Sequence, residues 1–110
     1  MRTVRQKAIV PRSVAQQDVS EAIDHYLSEG AEQAALGFVN ELEKAFAHIS
    51  RQPASGSPRY AHQLDLPGLR FWPLTRYPYL VFYFERDDVV DVWRVIQAQR
   101  DIPAWMSESS

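Results

Sequence analysis

The chain has 110 residues, 45% of them hydrophobic, which suits one domain around one core; with no cysteine it can hold neither a disulfide framework nor a thiolate zinc site. No run approaches the roughly 20 apolar residues of a membrane span. The basic start MRTVRQKAIVPRS lacks the apolar stretch of a secretory signal, so a cytoplasmic, cofactor-free protein is expected. A net charge of −2 argues against a dedicated nucleic-acid binder, which is ordinarily basic overall or along one face.

TVRQKAIV, residues 3–10, has β-branched residues at both ends and stops at Pro11, which predicts a first strand. Ser13 and Gln16 have the spacing of a capping box. Beyond them Val19, Ala22, Ile23, Tyr26 and Leu27 recur at helical spacing, and Gly30 ends the stretch as a C-cap glycine would. A second helix follows at once, with Ala35, Phe38, Val39, Leu42, Ala45, Phe46 and Ile49 on one stripe before Arg51 and Pro53. The short turn between them predicts an antiparallel helical hairpin.

QPASGSPRYAHQLDLPG, residues 52–68, has its prolines and glycines gathered at its two ends and reads as a loop. The period then changes. LRFWPLT (69–75), YLVFYFE (79–85) and VVDVWRVIQ (89–97) are rich in aromatic and β-branched residues and are separated by turns short enough for hairpins. Pro73 points to an edge strand or a bulge. The order β-α-α-β-β-β predicts an α+β domain over residues 1–106, with the helical hairpin on one face of a small antiparallel sheet and 107–110 as a frayed tail.

Charge is unevenly spread. Residues 1–12 carry Arg2, Arg5, Lys7 and Arg12 with no acid, whereas residues 14–51 carry seven acids against Lys44 and Arg51. Within the apolar last strand sits Arg94, and Arg100 follows it. A strand arginine must lay its stem on apolar surface and pair its head, with Asp91 or another acid. If the second and fourth strands flank a central one, Arg70 and Arg94 converge on one face, where planar guanidinium forks suit carboxylate or phosphate.

These residues resemble the ParE branch of the RelE/ParE toxin superfamily, the toxin halves of bacterial toxin–antitoxin operons. Ala15, Asp18, Ile23 and Tyr26 match its first-helix motif, LPGLR (66–70) the approach to its second strand, PYLVFYF (78–84) its central strand, and VVDVWRVIQAQRDI (89–102) its last strand and the arginine after it. The resemblance runs from about Val4 to Trp105 and implies the same β-α-α-β-β-β fold. It also implies a type II toxin that inhibits DNA gyrase, blocks replication and is neutralised by a ParD-like antitoxin. Two alternatives stay open: a RelE-like, ribosome-dependent mRNA interferase, and a non-toxic toxin fold that serves only to bind an antitoxin. A homodimer and a toxin–antitoxin hetero-oligomer stay open as well.

The resemblance places Arg94 on an open, concave face, where RNase relatives bind phosphate. Arg70 and Arg100, with Trp105, Trp72 and Tyr83, complete the expected contact set for target or antitoxin. An mRNA-cleaving site needs phosphate-holding cations and groups to move protons. Here the two lysines, Lys7 and Lys44, lie off the sheet, Gln97 stands where a histidine often occurs, and Tyr83 reads as a packed aromatic, so no catalytic group is assigned. His25, His48 and His62 are dispersed, and no metal site is expected. Phe38, Phe46, Phe82 and Phe84 read as core. Trp72, Tyr77, Tyr79, Trp93 and Trp105 exceed what a sheet covered on one face can bury, and predict an exposed aromatic–arginine surface.

Overall fold

The computed structural model describes residues 6–99 and 102. Four strands and three helices occur in the order β1 (Ala8–Pro11), α1 (Ser13–Ser28), α2 (Glu32–Arg51), α3 (Arg59–Gln63), β2 (Leu69–Pro73), β3 (Tyr79–Glu85) and β4 (Val89–Gln97). The last three strands form the expected antiparallel meander. The sheet as a whole is mixed, because β1 lies parallel to β4 at its outer side, giving the order β1-β4-β3-β2. β2 is an edge strand, which is where Pro73 is tolerated.

The helical hairpin forms for the reasons its spacing gave. Phe38, Leu42, Ala45 and Ile49 of α2 and Ala15 and Ala22 of α1 are buried against Val81, Tyr83, Val90, Val92 and Val95 of the sheet, and Ala35 of α2 is buried as well. Each fully buried aliphatic or aromatic side chain contributes roughly 1.5–3 kcal/mol of apolar transfer. Gly30 adopts φ +71°. Its N–H donates to the carbonyl of Leu27 and that of Ala31 to Tyr26, the paired bonds of a Schellman motif. At the other end of α1 the expected capping box is absent. No side chain caps the helix, and Gln16 Nε2 instead reaches back to the carbonyl of Pro11 at 3.2 Å.

Two expectations fail on the far face of the sheet. The stretch read as a loop contains a 3-10 turn (Pro53–Ser55) and α3. The 3-10 turn starts at Pro53, a residue that suits a first helical turn, α3 follows Pro58 at its N-cap, and α3 is too short to show periodicity in sequence. Tyr60, Ala61, Leu64 and Leu66 from this stretch pack with Val14 over Leu69, Phe82, Phe84, Trp93, Ile96 and Ile102. The sheet is therefore covered on both faces. The expected exposed aromatic surface is not there among the described residues: Tyr79 and Trp93 are buried, and Tyr77 sits in an edge-to-face cluster with Tyr26 and Phe38.

β4 carries one irregularity that matters for the site. Phe82 pairs with Arg94 but Tyr83 with Val92, so Trp93 is an extra residue, a β-bulge. The bulge shifts the alternation by one, so that Val92 and Val95 both face the helices while Trp93 and Ile96 face α3. It leaves Arg94 at the point where β1 has already ended, since β1 pairs only with Val89–Val92.

Candidate functional site

Among the described residues the outer side of β4 has no strand partner beyond Val92, and α1 supplies one side chain in its place. Arg94 Nε and Nη2 donate to the two carboxylate oxygens of Asp18 at 2.7 and 2.8 Å, and the backbone N–H of Val95 donates to the same carboxylate at 2.9 Å. The side chains are only 7% and 9% exposed. This is a fork-to-fork ion pair out of water, and one carboxylate both neutralises the arginine and caps the strand edge. The sequence demanded an acid for Arg94 and offered Asp91 as the nearest; the acid is Asp18, 76 residues away.

Asp91 is engaged elsewhere. Arg12 grips it with two bonds of 2.9 and 2.8 Å, and Arg86 adds bonds of 3.3 and 3.1 Å. The two guanidinium groups also lie over aromatic rings, Arg86 at 4.7 Å from Phe84 and Arg12 at 6.0 Å from both Phe84 and Trp93. Hydrogen bonds from Arg12 hold the Asp91 carboxyl below its ordinary range, and the reciprocal bond raises Arg12. This cluster pins the start of α1 to β4. Sequence reasoning missed it, because nothing local links Arg12 to Asp91.

Arg70 and Tyr83 form a third polar group. They are cross-strand neighbours, and Tyr83 is fully buried. The Tyr83 hydroxyl donates to the carbonyl of Pro53 at 2.6 Å and accepts from the N–H of Gly56 at 3.0 Å, while Arg70 Nη1 donates to the carbonyl of Gly56 at 2.8 Å. Burial pushes the Tyr83 phenol above its ordinary value. Together the two residues latch the 3-10 turn to the sheet. Arg70 and Arg94 do not converge, since by register one stands beside Tyr83 and the other beside Phe82, adjacent residues whose side chains enter opposite clusters.

Trp72 is half-buried on the edge strand, its ring stacked on His48 of α2 at 3.9 Å between centroids. His48 Nε2 lies 2.8 Å from Ser55 Oγ. Arg100 and Trp105 lie outside the described residues. A cleft of about 150 Å³ opens beside the Asp18–Arg94 pair, with Glu21, His25 and Gln97 on its walls. Among the described residues no group of three or more His, Asp or Glu side chains is arranged to hold a metal ion, and no helix is long and apolar enough to cross a membrane.

Set beside known proteins, the chain finds no match among curated sequences. Among solved structures it is similar to one described as the chromosomal ParDE toxin–antitoxin system from P. aeruginosa. The TM-score is 0.71 at 18% identity, over 86% of this chain and 99% of that one, a likeness of fold. The family model described as the ParE toxin of the type II toxin–antitoxin system parDE matches residues 9–102, from β1 through the bulged last strand to Ile102. On that match the chain belongs to the ParE toxin family.

Proposed function

We propose that the protein is a poison of DNA gyrase that acts by binding, works in the cytoplasm and is neutralised by a ParD-like antitoxin. The observation that carries this reading is the family match over residues 9–102, which spans both long helices and the whole sheet. The site geometry supports binding over mRNA cleavage. A general acid or base must reach its substrate. The Tyr83 hydroxyl is buried and bonded to two backbone groups, and Arg94 is closed into its pair with Asp18. In this reading Arg70 and Arg94 hold strands and loops in place, and Trp72, Arg100 and Trp105 are the contact candidates.

The test is supercoiling of relaxed plasmid by gyrase, titrated with purified, antitoxin-free protein whose fold has been verified by circular dichroism. Lost supercoiling with accumulating cleaved DNA is the expected result. Undisturbed supercoiling at saturating protein would sink the gyrase assignment, and cleavage of ribosome-bound mRNA by the same preparation would replace it.

A further inference from the structure

Arg76, at the tip of the β2–β3 hairpin, has φ +72°. That is the left-handed region, which Cβ sterics make costly for most residues other than glycine, asparagine and aspartate and which arginine seldom adopts. The loop around it is firmly held. Leu74 N–H bonds to the carbonyl of Tyr79, and the ring of Tyr77 packs edge-to-face on Tyr26 and Phe38, with its hydroxyl over Gly37 of α2. So a strained backbone on a rigid platform presents one exposed cation.

Of the other described arginines, Arg94, Arg12 and Arg86 are in ion pairs, Arg70 holds a carbonyl and Arg59 lies over Tyr60, while Arg51 sits on ordinary helical backbone in the last turn of α2, where the helix dipole favours a cation. Arg76 is exposed, and among the described residues no hydrogen bond, ion pair or ring contact engages it. A left-handed backbone held by its surroundings, carrying a side chain with no internal contact, points outward to a partner. Beside Arg76, its neighbour Thr75 lines a groove of about 200 Å³ between α2 and the edge strand, floored by Trp72.

We propose that Arg76 is a contact residue for the antitoxin, binding a carboxylate on the segment that lies along this groove. The inference rests on the reading of the protein as an antitoxin-held toxin. That reading also explains why the strain is tolerated, since a partner that binds only the folded state adds its own stabilisation by mass action. A carboxylate fits better than a phosphate backbone because a backbone needs a track of free cations. Here Lys44, the nearest other cation in the groove, is already 3.5 Å from Glu41.

The experiment compares wild type with Arg76→Gly, Arg76→Asn and Arg76→Lys, measuring Tm of the free toxin and calorimetric affinity for a full-length ParD-like antitoxin. Glycine and asparagine both accommodate positive φ. Both are expected to raise Tm while weakening antitoxin binding about tenfold, the effect of one charge-assisted contact, with a shallower salt dependence. Lysine is expected to keep the wild-type Tm and most of the affinity. Unchanged affinity in the glycine and asparagine variants overturns the proposal, and so does a Tm that fails to rise in either. If wild type itself does not bind the antitoxin, the antitoxin reading falls and the proposal with it, an outcome distinct from a failure of Arg76 alone.

Discussion

Replacing Asp18 by asparagine tests whether the Arg94 pair is what its burial says it is. The substitution keeps the shape and removes the charge. The amide oxygen, set in the place of Oδ2, can still accept the bonds from Arg94 Nε and Val95 N–H, while the bond from Arg94 Nη2 to Oδ1 is lost because an amide NH2 only donates. What remains is a guanidinium in a residue only 6% exposed, facing an amide where the Asp18 charge stood. Breaking a buried pair on one side costs about 3–5 kcal/mol, against about 0–1 kcal/mol for a solvated pair. Since a domain of this kind has only about 5–15 kcal/mol of stability in total, the variant should lose a large share of it. Urea denaturation followed by tryptophan fluorescence is the assay. With slopes of roughly 1–3 kcal/mol/M, the midpoint should fall by roughly 1–5 M. The double variant Asp18→Leu with Arg94→Met removes both charges, and should recover much of what either single change loses. A loss below about 1 kcal/mol for Asp18→Asn would refute the argument, because the pair would then behave as a hydrated surface contact.

Three further outcomes follow from the same geometry. Gly56→Ala places a methyl against the Tyr83 hydroxyl; because Gly56 has an ordinary φ of −68°, the effect is crowding alone, and thermal unfolding should show a loss of about 2–3 kcal/mol as the buried bonds to Pro53 and Gly56 are disturbed. Gly30→Ala meets no atom within 4 Å but must hold φ +71°, so it should cost about 1 kcal/mol by backbone conformation; a neutral result would remove the Schellman cap from the account. The Asp91 carboxyl has a lowered pKa in the fold, so its contribution is complete above the unfolded carboxylate range and is lost as pH falls through the folded value. Wild type should therefore lose stability more steeply than Asp91→Asn below about pH 5, and parallel profiles would contradict the Arg12–Asp91–Arg86 cluster.

The sequence made some of this legible and hid the rest for physical reasons. β3 and β4 fall on the residues expected, because continuous β-branched and aromatic runs between tight turns have no competing structure. The apolar stripes of α1 and α2 were likewise visible, since amphipathic spacing is a local property. The parallel pairing of β1 with β4 joins residues about 80 positions apart, and five-residue α3 is too short to carry a period, so neither left a local signal. The bulge at Trp93 is hidden for a similar reason, yet it sets where Arg94 emerges.

Arg94 is the case where the two kinds of information meet. Its presence in an apolar strand announces that some acid must be its partner, while the identity of that acid depends on how α1 crosses the open side of β4. The consequence for function is direct. An Arg94→Ala protein that has lost toxicity has also lost the counter-ion of a buried carboxylate, so inactivity alone cannot distinguish a missing target contact from a damaged fold. Only a variant pair that keeps stability while removing the guanidinium, such as Asp18→Leu with Arg94→Met, separates the two. If that protein is folded and still toxic, Arg94 belongs to the scaffold. If it is folded and inert, the guanidinium itself meets the target.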